Sequence, residues 1–199
     1  MAWDTEGTRR ALLDAAVAEF GERGFSGARV GGIAKRAGVN VERLYAYFGN
    51  KAGIFEAVLT DQLVELLTST AVQGAGPAAI GDFVVRFARA VDAAPTIARL
   101  AAWEGLEFPS PVDAALRANR AATKVAELQA AMPTLDETAA RHLLLAIVTL
   151  AYGWQVLPNL RHIILAGDTR GTGDEARIRS IGVALAEAAA GWSLGESNP

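Results

Sequence analysis

Residues 25–51 read FSGARVGGIAKRAGVNVERLYAYFGNK, and the pattern of this segment is the basis of the predicted fold. Apolar residues recur at helical spacing on both sides of Ala37-Gly38-Val39, which predicts helices over 30–37 and 40–48 joined by a short turn. Gly38 is the expected stop of the first helix, and Asn40 is a suitable N-cap for the second. The residues expected to form the small core between the two helices are Ile33, Ala34, Val39 and Leu44.

Two short helices joined by a glycine-containing turn have the form of a helix-turn-helix. In this geometry the second helix enters the major groove of DNA and presents its N-terminal residues to the base edges. The candidates for DNA contact on this second helix are Asn40, Val41, Glu42, Arg43, Ala46 and Tyr47.

The charge distribution supports that interpretation, although the net charge does not. The 199 residues carry a net charge of −3, which by itself argues against nucleic acid as a partner. Residues 1–51, however, hold eight basic and six acidic residues, and 23–51 alone hold six basic residues and one acidic one, Glu42. Residues 52–199 hold 11 basic and 16 acidic residues. A basic segment therefore coincides with the helix-turn-helix.

A helix with an apolar stripe precedes residues 25–51 and ends at Gly24, and another helix begins at Lys51. Residues 8–59 resemble the DNA-binding domain of the tetracycline-repressor (TetR) family of bacterial transcription regulators. The motifs that carry the resemblance are Ala16…Phe20…Arg23-Gly24-Phe25, Val30-Gly31-Gly32-Ile33-Ala34, Ala37-Gly38-Val39 and Leu44-Tyr45-Ala46-Tyr47-Phe48 with Lys51.

The resemblance implies roles for matched positions. Val41, Glu42, Arg43 and Ala46 would meet base edges, Tyr45 and Tyr47 would contact backbone or nearby bases, and Lys51 would bind phosphate. An arginine such as Arg43 can form a bidentate pair with guanine.

The sequence departs from the family at the start of the first of the two helices, where Arg29 replaces the usual Thr or Ser and Gly31-Gly32 replace polar residues. Phosphate contacts there would have to come from Arg29 or backbone N–H groups.

Helical periodicity continues through the rest of the chain, with helices predicted at 51–73, 77–92, 95–107, 111–132, 136–157 and 174–190. No alternating strand pattern of any length occurs. We predict an all-α protein of about nine helices. Residues 1–50 would form a three-helix DNA-binding domain, and 51–199 a helical domain for ligand binding and dimerisation.

Aromatic residues spread over three of the later helices suggest an apolar or aromatic small ligand held between bundle helices. For any single one, packing in the core is the stronger interpretation. The predicted ligand-binding residues are Phe83, Phe87, Trp103, Phe108, Tyr152 and Gln155, with Gln155 as a polar anchor.

The sequence lacks the residue patterns expected for metal binding, cofactor binding or nucleophilic catalysis. The chain has no cysteine, and His142 and His162 lie 20 positions apart, so we expect no metal site and no cofactor. Ser26 and Ser180 lack a nucleophile-elbow context. Gly171-Thr172-Gly173 has no preceding strand, and acidic residues follow it where a pyrophosphate would sit. We therefore do not expect an enzyme.

The last two predicted helices, the eighth and ninth, are apolar nearly all round, which predicts that they are covered by a second copy of the chain. The N-terminus lacks a signal-peptide pattern and the longest apolar run has 15 residues, so we expect a cytoplasmic protein without membrane contact.

The primary hypothesis is a homodimeric, ligand-responsive repressor that binds a palindromic operator on double-stranded DNA and is released by a small-molecule effector. A second hypothesis is a small-molecule-binding or scaffolding dimer that no longer reads DNA, for which Gly31-Gly32 gives a reason. An all-α enzyme is a third.

Overall fold

A computed structural model of the chain describes residues 5–166 and 175–195, and these residues form ten α-helices and no strand. In chain order the helices are α1 (Thr5–Gly27), α2 (Val30–Ala37), α3 (Val41–Phe48), α4 (Lys51–Ser69), α5 (Gly76–Ala93), α6 (Pro95–Glu107), α7 (Ala114–Ala131), α8 (Glu137–Val156), α9 (Pro158–Ile164) and α10 (Glu175–Gly195). The all-α prediction is confirmed. The glycine-rich stretch from Gly171 to Gly173 lies outside the described residues.

The short helix α9 is the element that the sequence did not predict. Pro158 ends α8, but a proline is also well suited to the first turn of a helix, and the chain resumes at once in a new direction. Within the described ranges no single helix is long and apolar enough to cross a membrane, and α8 and α9 meet that test only together, bent by 91°. Leu160, Ile163 and Ile164 of α9 are exposed.

The chain packs as two compact units, and α4 contributes to both. One unit contains the chain up to Leu63 together with Thr96–Ala114, and the other contains Val64–Pro95 and the described residues from Ala115 onward. The functional division at residues 50 and 51 stays a prediction.

Aromatic side chains form the centre of the first unit. Phe55 of α4 packs edge-on against Phe20 at 5.2 Å and is stacked with Phe108 at 5.1 Å between ring centroids. Gly24 interrupts α1 with φ 67°, and a Cβ added there would lie 2.6 Å from the indole of Trp103. Glycine is required at this position both for its backbone conformation and for the close approach of the indole.

The second unit is built on α5, α8 and α10. Helices α5 and α10 cross where two glycines meet, because a Cβ on Gly182 would lie 3.0 Å from the Cα of Gly81. Ala186 and Ala189 continue this buried stripe along α10. The small residues of the last helix, expected to permit close approach to a second copy, thus include three that pack within the chain.

Candidate nucleic-acid interface

The α2–turn–α3 segment has the predicted geometry. Gly38 adopts the left-handed conformation with φ 70° at the end of α2, and its N–H bonds to the carbonyls of the last turn. The Asn40 side chain accepts a hydrogen bond of 2.8 Å from the Arg43 N–H, so it caps α3 as expected. Leu44 is fully buried beneath the helix.

The outward face of α3 carries most of the predicted DNA-contacting side chains. Glu42, Tyr45 and Ala46 are exposed, as is Asn40 at the cap, while Val41 is half-buried. Tyr45 keeps 42% of its surface accessible. These residues form one uncovered surface.

The other two candidates on α3 are attached to the start of α1. Arg43 Nη2 donates to Thr8 Oγ1 at 3.3 Å, and the Tyr47 hydroxyl donates to the Thr5 carbonyl at 3.3 Å. Arg43 and Tyr47 are four positions apart and lie on the same side of α3. The first turn of α1 therefore borders the candidate recognition surface, meaning the DNA-contacting residues predicted on α3, and the sequence did not predict this neighbour.

A buried carboxylate supports the start of α2. Glu19 of α1 is 3% exposed and accepts a hydrogen bond of 3.2 Å from the Arg29 N–H. A Cβ on Gly32 would lie 3.0 Å from the same carboxylate oxygen, which explains the glycine. The Arg29 side chain makes no cap and is exposed.

Glu19 lies off the apolar stripe of α1, so helical periodicity by itself would place it on the outward face. Two features of α2 could have identified an acidic partner from another helix. Its N-cap position holds Arg29, which cannot cap the helix, and Gly32 leaves space one turn later.

Two arginines surround this carboxylate. Arg23 lies 3.2 Å from Glu19, and Arg36 lies 3.8 Å from Glu19 and 3.2 Å from Glu22. The hydrogen bond and charge of Arg36 lower the pKa of Glu22 below its usual value of 4.5. These ion pairs join α1 to α2.

Lys51, expected to bind phosphate, lies at the start of α4. Its Nζ donates to the Ser26 carbonyl at 3.2 Å and lies 5.0 Å from the centre of the Phe25 ring. An ammonium group has three donors, so this bond leaves donors for a phosphate. Nearby, a Cβ on Gly53 would lie 2.1 Å from the Phe48 carbonyl oxygen, so only glycine fits there.

The predicted ligand-binding residues are divided between the two units. Phe83, Phe87, Tyr152 and Gln155 belong to the second unit, where Phe87 and Tyr152 stack at 6.3 Å and Gln155 donates to Asp92. Trp103 and Phe108 belong to the first unit, where Trp103 packs on Gly24 and Phe108 on Phe25 and Phe55.

A buried lysine beside this aromatic group was missed in the sequence. Lys124 is 3% exposed, donates to Glu127 at 2.7 Å and to the Thr70 carbonyl, and lies 5.5 Å from the centre of the Phe83 ring. A lysine on an amphipathic helix is normally predicted to be exposed to solvent, and the residues next to Lys124 in the sequence give no indication that it is buried. It fixes the chain just after the end of α4.

Histidine and carboxylate groups do not gather into a metal centre in the part of the chain that the structure describes. His142 Nδ1 donates to the Thr138 carbonyl at 2.8 Å, and its ring packs edge-on against Trp192. His162 is exposed on α9.

The fold and the uncovered α3 together define a helix-turn-helix protein with a C-terminal helical bundle. Residues 12–58 match the family of bacterial regulatory proteins described as the tetR family, and residues 79–188 match the tetracyclin repressor-like C-terminal domain. The chain belongs to the TetR family of transcriptional regulators, as the sequence resemblance indicated.

Individual relatives agree with this assignment. The HTH-type transcriptional repressor SCO4008 of Streptomyces coelicolor is 34% identical over 177 residues, covering 86% of this chain and 90% of that protein. The crystal structure of the putative transcriptional regulator SCO4942, also from Streptomyces coelicolor, has a TM-score of 0.67 at 28% identity, over 91% of this chain and 97% of that one. A TetR from Acinetobacter baumannii in complex with minocycline shares the fold, with a TM-score of 0.58 at 19% identity over 89% and 93% of the two chains.

Proposed function

We propose that the protein is a ligand-responsive transcriptional repressor that binds a palindromic operator as a homodimer. The observation that carries this proposal is the uncovered face of α3, where Glu42, Tyr45 and Ala46 are exposed around a capped and well-anchored helix. The name of the relative SCO4008 supports repression rather than activation. A cytoplasmic location follows from the proposed contact with DNA.

The proposed roles on the DNA side follow from the arrangement of α2, α3 and α4. Val41, Glu42, Tyr45 and Ala46 meet base edges or the adjacent backbone, and Arg43 reads a base pair from a side chain oriented by Thr8. Tyr47, Asn40, Arg29 and Lys51 complete the contact surface. In a two-fold dimer the two recognition helices lie about 34–36 Å apart, one turn of DNA.

Binding and base reading are tested separately. A mobility-shift assay on the DNA that flanks the protein's own gene, repeated over a salt series, should show a salt-sensitive complex. Replacing Arg43→Ala should then relax discrimination at one base pair in each half-site, worth about 1–3 kcal/mol. Equal loss of affinity on every sequence would show that Arg43 does not read a base, and no salt-sensitive complex would favour the alternative of a dimer that no longer reads DNA.

The proposed effector is a small apolar or aromatic molecule, bound in the second unit beside the stacked Phe87 and Tyr152. The Gln155–Asp92 pair offers a polar anchor at this position. Release from DNA follows if the effector binds the state with low DNA affinity more tightly than the DNA-competent state. The minocycline complex of a protein with the same fold supports a small-molecule effector as a class.

The effector site is tested by screening aromatic compounds for release of the labelled operator. Phe87→Ala or Gln155→Ala should weaken the response to an active compound without changing operator affinity in its absence.

The proposed dimer forms through α8 and α10, the two helices predicted to be covered by a second copy. Large apolar side chains on both are exposed: Leu145 at 63%, Ile181 at 44% and Trp192 at 47%. Such residues are costly to leave in water, and a two-fold interface would bury each of them twice.

A further inference from the structure

The eight basic residues of the N-terminal 51 residues differ in their neighbours. Three of them, Arg9, Arg29 and Lys35, have exposed side chains with no ion-pair or hydrogen-bond partner among the described residues. A count of charges along the sequence does not distinguish these eight residues, whereas the structure separates the unpaired side chains from those that already have a carboxylate partner.

The engaged arginines are flanked by carboxylates. Arg10 lies 2.9 Å from Asp14 and 3.2 Å from Asp61, and Arg36 lies within 4 Å of both Glu19 and Glu22. Arg10 alone faces two carboxylates, whereas Arg36 shares its two carboxylates with Arg23, so the first group of charges is negative and the second is neutral. A DNA phosphate approaching Arg10 or Arg36 would therefore meet no net positive charge from these groups.

The unpaired cations lie beside the recognition surface. Arg9 follows Thr8, whose hydroxyl accepts the bond from Arg43 of α3. Lys35 lies one helical turn after Gly31 on α2, and a Cβ on Gly31 would meet nothing within 4 Å, so this face of α2 is open. In a helix-turn-helix the first helix crosses the phosphate backbone while the second enters the groove.

We propose that Arg9 and Lys35, together with Arg29, form a phosphate-contacting surface on either side of the recognition helix, and that Arg10 and Arg36 do not contribute to it. The proposal rests on the proposed DNA-binding function, and it identifies which positive charges displace counterions from the DNA. Basic residues that hold α1 to α2 and α4 stabilise the domain instead.

Counterion release makes this measurable without a known operator. The probe is a short fluorescent DNA duplex of arbitrary sequence, and binding of the full-length protein is followed by anisotropy between about 50 and about 200 mM salt. The slope of log K against log salt should become less steep by about 0.9 for each phosphate contact that is lost. Arg9→Gln and Lys35→Gln should each reduce the slope by about that amount in every protomer that touches the duplex.

The chain offers a matched control beside each variant. Arg10→Gln and Arg36→Gln remove the same charge one residue away and should leave the slope unchanged. Circular dichroism confirms the fold of each variant, and if Arg36→Gln is unstable, Arg10→Gln alone serves as the control.

Two outcomes would overturn the inference while the function stands: an equal reduction by all four variants, which would reflect net charge alone, or a reduction confined to Arg10→Gln and Arg36→Gln. If the wild-type protein showed no salt-dependent DNA binding, that result would instead contradict the proposed function itself.

Discussion

Gly31 and Gly32 are neighbours in α2, yet only Gly32 approaches another side chain. A methyl group on Gly31 would meet nothing within 4 Å, whereas one on Gly32 would lie 3.0 Å from Glu19 Oε1. Glu19 cannot easily withdraw, because it is buried and accepts from the Arg29 N–H.

We therefore expect Gly31→Ala to stabilise the protein by about 0.5–1 kcal/mol through helix propensity, and Gly32→Ala to gain nothing or to destabilise it. Urea unfolding of both variants checks this. Equal stabilisation by the two substitutions would show that Glu19 does not hold the start of α2.

The buried phenol of Tyr152 makes the stability of the protein depend on pH in the alkaline range. Burial raises the pKa of Tyr152 to about 12, with the positive charge of Arg117 acting in the opposite direction. The folded state thus favours the neutral phenol. The contribution of Tyr152 to the free energy of unfolding is therefore complete below about pH 10 and is lost as the pH rises towards 12. The loss is on the order of 2–3 kcal/mol.

The unfolding free energy of wild type should fall more steeply than that of Tyr152→Phe over this interval. Parallel profiles for the two proteins would contradict the burial of the phenol.

The close crossing of α5 and α10 depends on the absence of a side chain at Gly182. Gly182→Ala would push a methyl group to 3.0 Å from the Gly81 backbone and 2.9 Å from Val84 Cγ2, and neither neighbour is a flexible chain end. We expect a loss of about 1–3 kcal/mol, typical of overpacking. Gly191→Ala on the same helix meets nothing within 4 Å and is the matched control, expected to be neutral or stabilising in thermal unfolding.

The positions of the helices could be predicted from short stretches of sequence, whereas the contacts between helices could not. Gly38 and Asn40 mark the ends of α2 and α3 because turn and cap chemistry is local. A proline can end one helix and also begin the next. Only the first role was considered for Pro158, so α9 was not predicted. Glu19 and Lys124 are buried only because their partners come from other segments, Arg29 and Thr70, which no periodicity reveals.

The relative positions of the predicted DNA-contacting residues of α3 were predictable for the same reason as the helix ends. Residues 41–47 lie on one short helix that Asn40 caps, so their spacing follows from the helical repeat alone. The predicted effector-binding residues come from separate helices, and Trp103 and Phe108 pack in a different unit from Phe83 and Phe87. The aromatic residues of the sequence indicated that these side chains pack in a core, but the sequence could not show which aromatic residues contact one another.

The proposed dimer interface can be tested by placing a charge in it. Leu145→Glu introduces a charge into the proposed α8–α10 interface, and in a two-fold dimer the two carboxylates would face one contact region. We expect sedimentation velocity to show a shift from dimer to monomer, together with loss of operator affinity. Leu106→Glu is the control, because Leu106 is 78% exposed on α6, outside the proposed interface. Dimers from both variants would refute this choice of interface.

The sharing of α4 between the two compact units has a practical consequence for dissecting the protein. The end of α3 is not a boundary between the units, because Ile54, Phe55, Val58 and Leu59 of α4 are fully buried and belong to the same unit as α1 to α3. A truncated fragment that ended there would lose Phe55 and expose Phe20 to water. The DNA-binding module therefore cannot be cut out at the end of α3 and expressed as an independent reagent; its smallest self-sufficient form must carry the first half of α4 and a replacement for the packing that α6 supplies.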